Sequence, residues 1–290
     1  MVFVLFCWGS TAFHKQALLA VKSILERSHS ARVLVFASRP ALLTGGRIEV
    51  VPITKFDISN WKGPLGYILR VKIQIIKKAL LNVDDNEPIC FIDSDMYCCD
   101  VPEELVVPGN NVLMFNYEGR VSNSFHEKLH KFLLRSRELL TNNGYMDLLP
   151  DFKMYNSGLI YMPAASWRMR ALEKVLELTD FLCLHFPQQM YWLEQASFSY
   201  VLPKFSEIGI SKGFEHYWGL NSEVGYLLER MPLKEIEELA KSKYKFDEFC
   251  KEAKSIQGTF SNKARLFLRK QIRSIRKNMS LLKTKYYASY

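Results

Sequence analysis

The sequence has no apolar run that could span a membrane and no cysteines spaced as metal ligands. None of its hydrophobic stretches approaches the roughly 20 residues that a membrane-spanning helix requires. The apolar opening, residues 1–6, is too short and lacks the basic lead of a secretory signal, so we expect it to form a β-strand. The six cysteines show no Cys-x-x-Cys spacing. They favour reduced thiols in the cytoplasm over a disulfide framework or a zinc site.

Acidic residues are missing from the end of the chain. No Asp or Glu follows Glu252, whereas nine of the 39 basic residues lie beyond Lys254. That stretch carries the whole formal net charge of +9, and the rest of the chain is balanced. The body of the protein therefore gives no electrostatic reason to expect nucleic-acid binding.

The first two-thirds of the chain alternates between strand-like and helix-like hydrophobic patterns. These patterns predict strands at 2–7, 32–36, 48–53, 88–93, 112–115 and 159–162, and helices at 16–26, 69–81 and 171–184. Strands separated by helices indicate an α/β domain with a largely parallel sheet. In open sheets of this kind, ligands bind beyond the carboxyl ends of the strands.

Two acids, Asp93 and Asp95, follow directly on a buried-strand pattern in the stretch CFIDSD. Alternate side chains of an extended segment point to the same side, so both carboxylates can face one divalent ion. Oxygen ligands suit Mg²⁺ or Mn²⁺. The alternative is a solvated turn, but burying carboxylates beside Phe91 and Ile92 is costly without a cation.

Two other reactions use acids or phosphate loops on related folds. Phosphatases with a nucleophilic Asp-x-Asp place Thr or Val two residues later, where this chain has Tyr97, and their motif follows the first strand. Nucleotidyltransferases need a Gly-rich phosphate loop with a basic residue near the N-terminus. The Trp-Gly-Ser-Thr of residues 8–11 does not supply one.

Three polar stretches occur later in the chain. Asn156-Ser157-Gly158 leads into an apolar strand, where Asn offers a donor and an acceptor and Gly allows close approach of a ligand. Alone, this stretch is typical of an ordinary turn. An adjacent acid and amide, Glu194 and Gln195, sit among aromatic residues. The last stretch is FEHYWG, residues 214–219, whose histidine could join a metal already held by carboxylates or serve a structural role.

The order strand–helix–strand, FIDSD, YNSGLIYM, EQ and HYWG resembles the GT-A-fold glycosyltransferases. It is most similar to the retaining family 8, which includes glycogenin and bacterial lipopolysaccharide galactosyltransferases. The resemblance covers roughly residues 1–220. It implies a Rossmann-like, mostly parallel sheet flanked by helices in a catalytic domain at 1–240, followed by a helical basic extension at 241–290.

The resemblance also implies roles for individual residues. Asp93, Asp95 and His216 would bind Mn²⁺ or Mg²⁺ on the phosphates of a nucleotide-sugar donor, with UDP as the expected nucleotide. Glu194 and Gln195 would be the catalytic pair near the reacting carbon. The donor would be bound by a larger set: Trp8, Gly9, Ser10, Thr11, Arg70, Lys72, Ser94, Asn156, Ser157, Gly158 and Gly219.

The sequence departs from the family pattern in two places. The family usually has Asp where this chain has Glu194. After His-x-x-Gly it continues with Lys-Pro-Trp, whereas this chain has Leu-Asn-Ser at 220–222, so the phosphate-binding lysine is missing there and Lys212 is its candidate substitute. With inversion, Glu194 would act as general base; with retention, the leaving phosphate would take the acceptor proton. The residues leave both outcomes open, and the resemblance favours retention.

We therefore expect sugar transfer from a nucleotide-sugar to a saccharide or lipid-linked acceptor. A sugar- or membrane-binding scaffold without catalysis is the non-enzymatic alternative. The intact acids and histidine argue against it, whereas the missing lysine leaves it open.

The basic tail has the pattern of an amphipathic helix at 262–282. Its apolar positions step by four and three: Leu268, Ile272, Ile275, Met279 and Leu282. Basic residues surround that face: Arg265, Arg269, Lys270, Arg273, Arg276 and Lys277. Such a helix can lie on an anionic membrane surface, here the inner face of the cell membrane. The alternative is that its apolar face packs on the body or forms a dimer.

Overall fold

The computed structural model describes residues 1–102, 111–123, 126–145, 151–186 and 192–257. Its strands are β1 (Val2–Cys7), β2 (Arg32–Ala37), β3 (Ile48–Pro52), β4 (Ile89–Ile92), β5 (Met96–Cys98), β6 (Val112–Met114), β7 (Tyr117–Arg120), β8 (Lys153–Tyr155), β9 (Leu159–Met162), β10 (Ile208–Ile210) and β11 (Phe214–His216). Its α-helices are α1 (Thr11–Arg27), α2 (Lys55–Trp61), α3 (Arg70–Leu80), α4 (Glu127–Arg135), α5 (Arg137–Asn142), α6 (Arg168–His185), α7 (Leu193–Val201), α8 (Asn221–Arg230), α9 (Leu233–Lys241) and α10 (Lys243–Gln257).

The central sheet has seven strands in the order β10-β6-β9-β4-β1-β2-β3. Its pairs are parallel except those of β9, which runs antiparallel to both β4 and β6. The chain moves from β1 outward to β2 and β3, then returns to place β4 on the other side of β1. This reversal puts a crevice between the carboxyl ends of β1 and β4, which is where open α/β sheets bind their ligands.

The predicted α/β class and mostly parallel sheet are confirmed, and the predicted strands and helices match observed elements within a few residues at each end. The largest difference is at α1, which begins at Thr11 rather than at 16. Ser10 caps this helix, because its side chain accepts a hydrogen bond from the backbone N–H of Phe13 at 3.4 Å. The antiparallel direction of β9 was not predicted, since direction leaves no trace in the hydrophobic period.

Helices cover both faces of the sheet. Along β1, Val2 and Val4 belong to one apolar cluster, and Phe3 and Leu5 belong to the other. Helices α3, α6 and α7 contribute to the first cluster, and α1, α8, α9 and α10 contribute to the second. Burial on both faces explains why the strands read as continuous apolar runs instead of alternating ones.

The last described helix is part of this packed body. The ring of Phe246 on α10 stacks on that of Tyr97 with centroids 3.9 Å apart, and the Tyr97 hydroxyl donates to the carbonyl oxygen of Ala240 at 2.9 Å. The extension predicted at 241–290 thus begins with a helix that shares the core of the body. Residues 258–290, including the predicted basic helix, lie outside the described residues. No helix in the described ranges is both long and apolar enough to cross a membrane.

A buried histidine joins the loops that follow β1 and β2. His14 is fully buried, and its Nδ1 lies 2.8 Å from the carbonyl oxygen of Ser10. Its Nε2 accepts from the backbone N–H of Arg39 at 3.1 Å and lies 3.2 Å from the Ser38 hydroxyl. This pairing requires a neutral ring with its proton on Nδ1. Burial and the nearby Arg39 charge hold the pKa of His14 below its usual value, although the Ser10 carbonyl acts in the opposite direction.

We predict that this histidine makes the fold sensitive to mild acid. Because the pKa of His14 is lower in the folded chain than the unfolded value of 6.5, stability is full above that value and falls as the pH drops below it. His14→Gln keeps an acceptor near the Nε2 position and does not titrate. It should cost about 1 kcal/mol at pH 7.5, for the lost bond to Ser10, and relatively less at pH 5.5. Urea unfolding of both proteins at the two pH values measures this difference. A gap that stays constant or widens in acid would contradict it.

Candidate functional site

The two acids and the predicted histidine meet at the carboxyl edge of the sheet. Asp93 and Asp95 follow β4, and β5 then pairs antiparallel with β11, setting His216 opposite Met96. Ligand atoms of the two aspartates and the histidine lie within 4.8 Å of one another. His216 Nε2 is 3.2 Å from Asp95 Oδ1. Two ligands about 2.1 Å from one ion at right angles are about 3 Å apart, so this spacing suits a shared divalent cation.

The polar stretch before β9 reaches the same edge because β9 is antiparallel. The first residue of β9, and not its last, lies at the carboxyl ends of the neighbouring strands. The backbone N–H of Asp93 donates to the carbonyl oxygen of Gly158 at 2.7 Å. A Cβ at Gly158 would lie 2.9 Å from both Asn156 Oδ1 and His216 Cε1. Glycine at this position therefore allows the backbone to approach the histidine and the asparagine closely.

A buried lysine lies among the acids. Lys72, on α3, is only 6% exposed, and its Nζ lies 3.1 Å from the Asp93 carboxylate and 3.5 Å from Glu194 Oε1. It also donates to the carbonyl oxygen of Ser157 at 3.2 Å. Arg70, predicted to bind the donor with it, points elsewhere and pairs with Asp180 at 2.7 Å. Residues two apart on a helix do not share a face, so only one of these cations reaches the acids.

Glu194 is buried with both carboxylate oxygens engaged. Oε1 accepts from the Ser157 hydroxyl at 2.9 Å, and Oε2 accepts from the Tyr67 hydroxyl at 3.0 Å. The residue is 2% exposed. In this structure the predicted catalytic carboxylate thus holds Lys72, Ser157 and Tyr67 in place.

The partner residue Gln195 is held by an acid that the sequence reasoning missed. Glu118, on β7, accepts from Gln195 Nε2 at 2.6 Å through one oxygen and from Asn156 Nδ2 at 2.8 Å through the other. The carbonyl oxygen of the Asn156 amide accepts from Gly158 N–H at 2.8 Å. These bonds determine which way both amides face. No motif surrounds Glu118, so only the tertiary contact reveals it.

The remaining predicted donor-binding residues lie around this cluster in different ways. The loop 8–11 follows β1 at the crevice, where Gly9 has a φ of +97° and its N–H donates to Ser38 Oγ at 3.3 Å. Thr11 accepts from the Arg39 guanidinium at 2.7 Å. The carbonyl oxygen of Ser94 accepts from Tyr217 at 3.4 Å. Gly219 accepts from Gln257 at 3.1 Å, and a Cβ there would meet nothing within 4 Å.

Negative charge exceeds positive charge in the cluster. The contacts described above include four carboxylates, those of Asp93, Asp95, Glu118 and Glu194, and the ammonium group of Lys72. Burial raises the pKa of Asp93 to about 6, against the opposing charge of Lys72. Burial lowers the pKa of His216, but the hydrogen bond that the ring donates to Asp95 and the charges of both aspartates outweigh burial and raise it.

These features fit a divalent metal. The aspartates offer the hard oxygen ligands that Mn²⁺ and Mg²⁺ take, and a cation would relieve the repulsion between them. His216 directs Nε2 toward Asp95 Oδ1, 3.2 Å away, so Nε2 is the ring nitrogen that faces a shared ion, while the buried Nδ1 has no hydrogen-bond partner in the described residues. Asp93, Asp95 and His216 are therefore the residues that could hold one.

Comparison with known proteins bears on the fold. No protein-family model and no curated protein matches this sequence. The solved galactosyltransferase LgtC, in complex with donor and acceptor sugar analogues, matches with a TM-score of 0.51 and 14% identity over 80% of this chain and 98% of its own. A glycosyltransferase involved in glycosylation of the major capsid of PBCV-1 gives 0.45 and 12%, over 79% and 98%. Mouse xyloside xylosyltransferase 1 gives 0.44 and 13%, over 72% and 83%. The likeness to LgtC confirms the predicted GT-A fold.

We predict that Gly158→Ala disturbs this cluster without unfolding the chain. The added methyl would force Asn156 or His216 to move, because it would lie 2.9 Å from each. Binding of a divalent cation to the cluster, measured with Mn²⁺, should weaken on the order of tenfold, as for other changes in the surroundings of a metal. Gly46→Ala is the matched control, since a methyl there meets no atom within 4 Å. Equal Mn²⁺ affinities in a calorimetric titration of the two variants would contradict the prediction.

Proposed function

We propose that the protein is a metal-dependent glycosyltransferase that moves a sugar from a nucleotide-sugar, with UDP as the expected nucleotide, to a saccharide or lipid-linked acceptor. The observation that carries the proposal is the grouping of Asp93, Asp95 and His216 within 4.8 Å at the switch-point crevice. The GT-A fold adds to it, because solved structures of this fold include a galactosyltransferase with bound donor and acceptor analogues.

The proposed mechanism gives each group of residues a task. A divalent ion held by Asp93, Asp95 and His216 would act as a Lewis acid on the phosphates of the leaving nucleotide. Lys72 lies beside Asp93 and would add positive charge where the leaving group becomes more negative. It is thereby a second candidate, with Lys212, for the lysine that the 220–222 stretch lacks. Asn156 and Gln195, both held by Glu118, would orient the sugar.

The stereochemical proposal is retention. A general base must reach the acceptor hydroxyl and accept its proton. Glu194 is 2% exposed, and its two oxygens already accept from Ser157 and Tyr67. These contacts favour an anchoring role for Glu194 over that of a base. In the retaining route, the leaving phosphate takes the acceptor proton, and no carboxylate base is needed.

We predict that nucleotide binding depends on the metal. UDP, GDP and CMP are titrated calorimetrically into the protein with Mn²⁺ and, separately, with EDTA. One nucleotide, expected to be UDP, should bind only with Mn²⁺. Asp95→Asn should lose this binding by a factor on the order of 100 while still unfolding cooperatively, because one ligand is neutralised. Arg70→Gln is the control outside the cluster and should keep its affinity. Binding that is equal in EDTA would refute the metal role.

Activity is tested in the same preparation. Nucleotide-sugar hydrolysis or transfer to added saccharides should require Mn²⁺ and disappear in Asp95→Asn. Metal-dependent nucleotide binding without any turnover would instead favour the scaffold alternative.

We also propose peripheral contact with an anionic membrane, in a protein located in the cytoplasm. The support is the sequence of the tail, whose basic residues surround an apolar face at 262–282. A lipid-linked acceptor would be met at such a surface.

We predict that a chain ending at Gln257, which keeps α10 intact, no longer sediments with anionic vesicles at low salt. The full chain should sediment at low salt and be released as salt rises, because screening weakens attraction between basic residues and anionic lipid. A full-length variant with Arg269, Lys270, Arg273 and Arg276 changed to Gln tests the effect of the basic charge on sedimentation separately from the effect of the length of the chain. Unchanged sedimentation of the shortened chain would discard the membrane proposal.

A further inference from the structure

Helix α1 carries a buried glutamine that the proposed mechanism does not use. Gln16 is 1% exposed and faces α8. Its Nε2 donates to the backbone carbonyl of Asn221 at 3.0 Å and also to the Asn221 side-chain oxygen. Its own Oε1 is buried and has no hydrogen-bond partner in the described residues. An unsatisfied buried acceptor destabilises a fold, so packing alone does not explain a glutamine here. The useful part of Gln16 is therefore its donor group.

Asn221 connects Gln16 to Asp95, one of the candidate metal ligands. It is the first residue of α8, and its Nδ2 donates to Asp95 Oδ2 at 2.8 Å. Because Gln16 donates to the amide oxygen, the amide nitrogen must face the aspartate.

Asp95 is thus held on several sides. Its backbone carbonyl accepts from the N–H of Tyr217 at 3.1 Å. Its Oδ2 is bound to Asn221, which leaves Oδ1 on the side of His216 Nε2, 3.2 Å away. Oδ1 is therefore the Asp95 oxygen that faces His216, which is another candidate ligand of the metal.

We propose that Gln16 and Asn221 are positioning residues that orient the Asp95 carboxylate for metal binding. This inference rests on the metal site of the proposed function and adds two residues to it. Asn221 lies in the 220–222 stretch that departs from the family pattern, so the departure would itself supply part of the support for the metal. Partners that hydrogen-bond to a ligating carboxylate typically contribute 10–100-fold to metal affinity.

The test measures Mn²⁺ binding to the full chain by electron paramagnetic resonance of the free ion, without nucleotide and with saturating UDP. Asn221→Ala should weaken Mn²⁺ binding by about 10–100-fold, and Gln16→Met by on the order of tenfold. Gln16→Met should change the urea midpoint little, because it removes the unsatisfied oxygen of Gln16 and leaves the Asn221 side-chain oxygen without its donor instead. A residue that serves packing alone would give the opposite result: lower stability with unchanged Mn²⁺ affinity.

His14→Gln is the matched control. His14 is also a buried polar residue of α1, but its bonds go to the loops after β1 and β2 and not to Asn221. Its Mn²⁺ affinity should equal that of the native chain. Equal weakening in His14→Gln would mean a general loosening of α1 and would overturn the inference. Native affinity in Asn221→Ala and Gln16→Met would also overturn it while leaving the proposed function intact. Absence of Mn²⁺ binding to the native chain would refute the metal site itself, and this inference with it.

Discussion

Repulsion among buried and half-buried carboxylates is the constraint on which the architecture of the carboxyl edge depends. Asp93 and Glu194 approach each other only because the Lys72 ammonium lies between them, 3.1 Å and 3.5 Å away. Burying a charge is costly unless an opposite charge and hydrogen bonds compensate it. Lys72 is itself buried, which opposes its charge, yet the carboxylates of Asp93 and Glu194 outweigh burial and raise its pKa. Asp95 contributes to this effect from a greater distance and makes no ion pair with Lys72 within the described residues, so a metal ion beside it would add compensating charge.

Strand direction brings these groups together. In a fully parallel sheet, the residues before β9 would lie at the amino edge, far from the aspartates. Because β9 is antiparallel to β4, its leading Asn156–Gly158 stretch lies beside Asp93. Pairing of β5 with β11 places His216 beside Asp95, although the two residues are more than 100 positions apart in the sequence. Two local features of topology thus assemble a site from three separate segments.

The sequence predicted those site residues whose type and sequence surroundings are typical of metal ligands. Asp93 and Asp95 stand out because they end an apolar run, and His216 stands out because it lies among aromatic residues before a glycine. Glu118 and Asn221 could not be found in this way, since an acid and an amide with no motif around them are typical of ordinary surface residues. They matter only through hydrogen bonds to Asn156, Gln195 and Asp95, which join segments far apart in the chain.

The amino-acid sequence by itself determined six of the seven strands of the central sheet, the helices α1, α3 and α6, the α/β class and the polar residues at the strand ends, because these follow from local hydrophobic period and residue chemistry. Only the tertiary structure decided that Lys72, and not Arg70, reaches the acids, and that Glu194 is an anchored carboxylate bound by Tyr67. The physical reason is that local period does not encode strand order and direction. Those features select which side chains become neighbours, and their neighbours in turn decide how charges are balanced and which oxygens remain for a ligand.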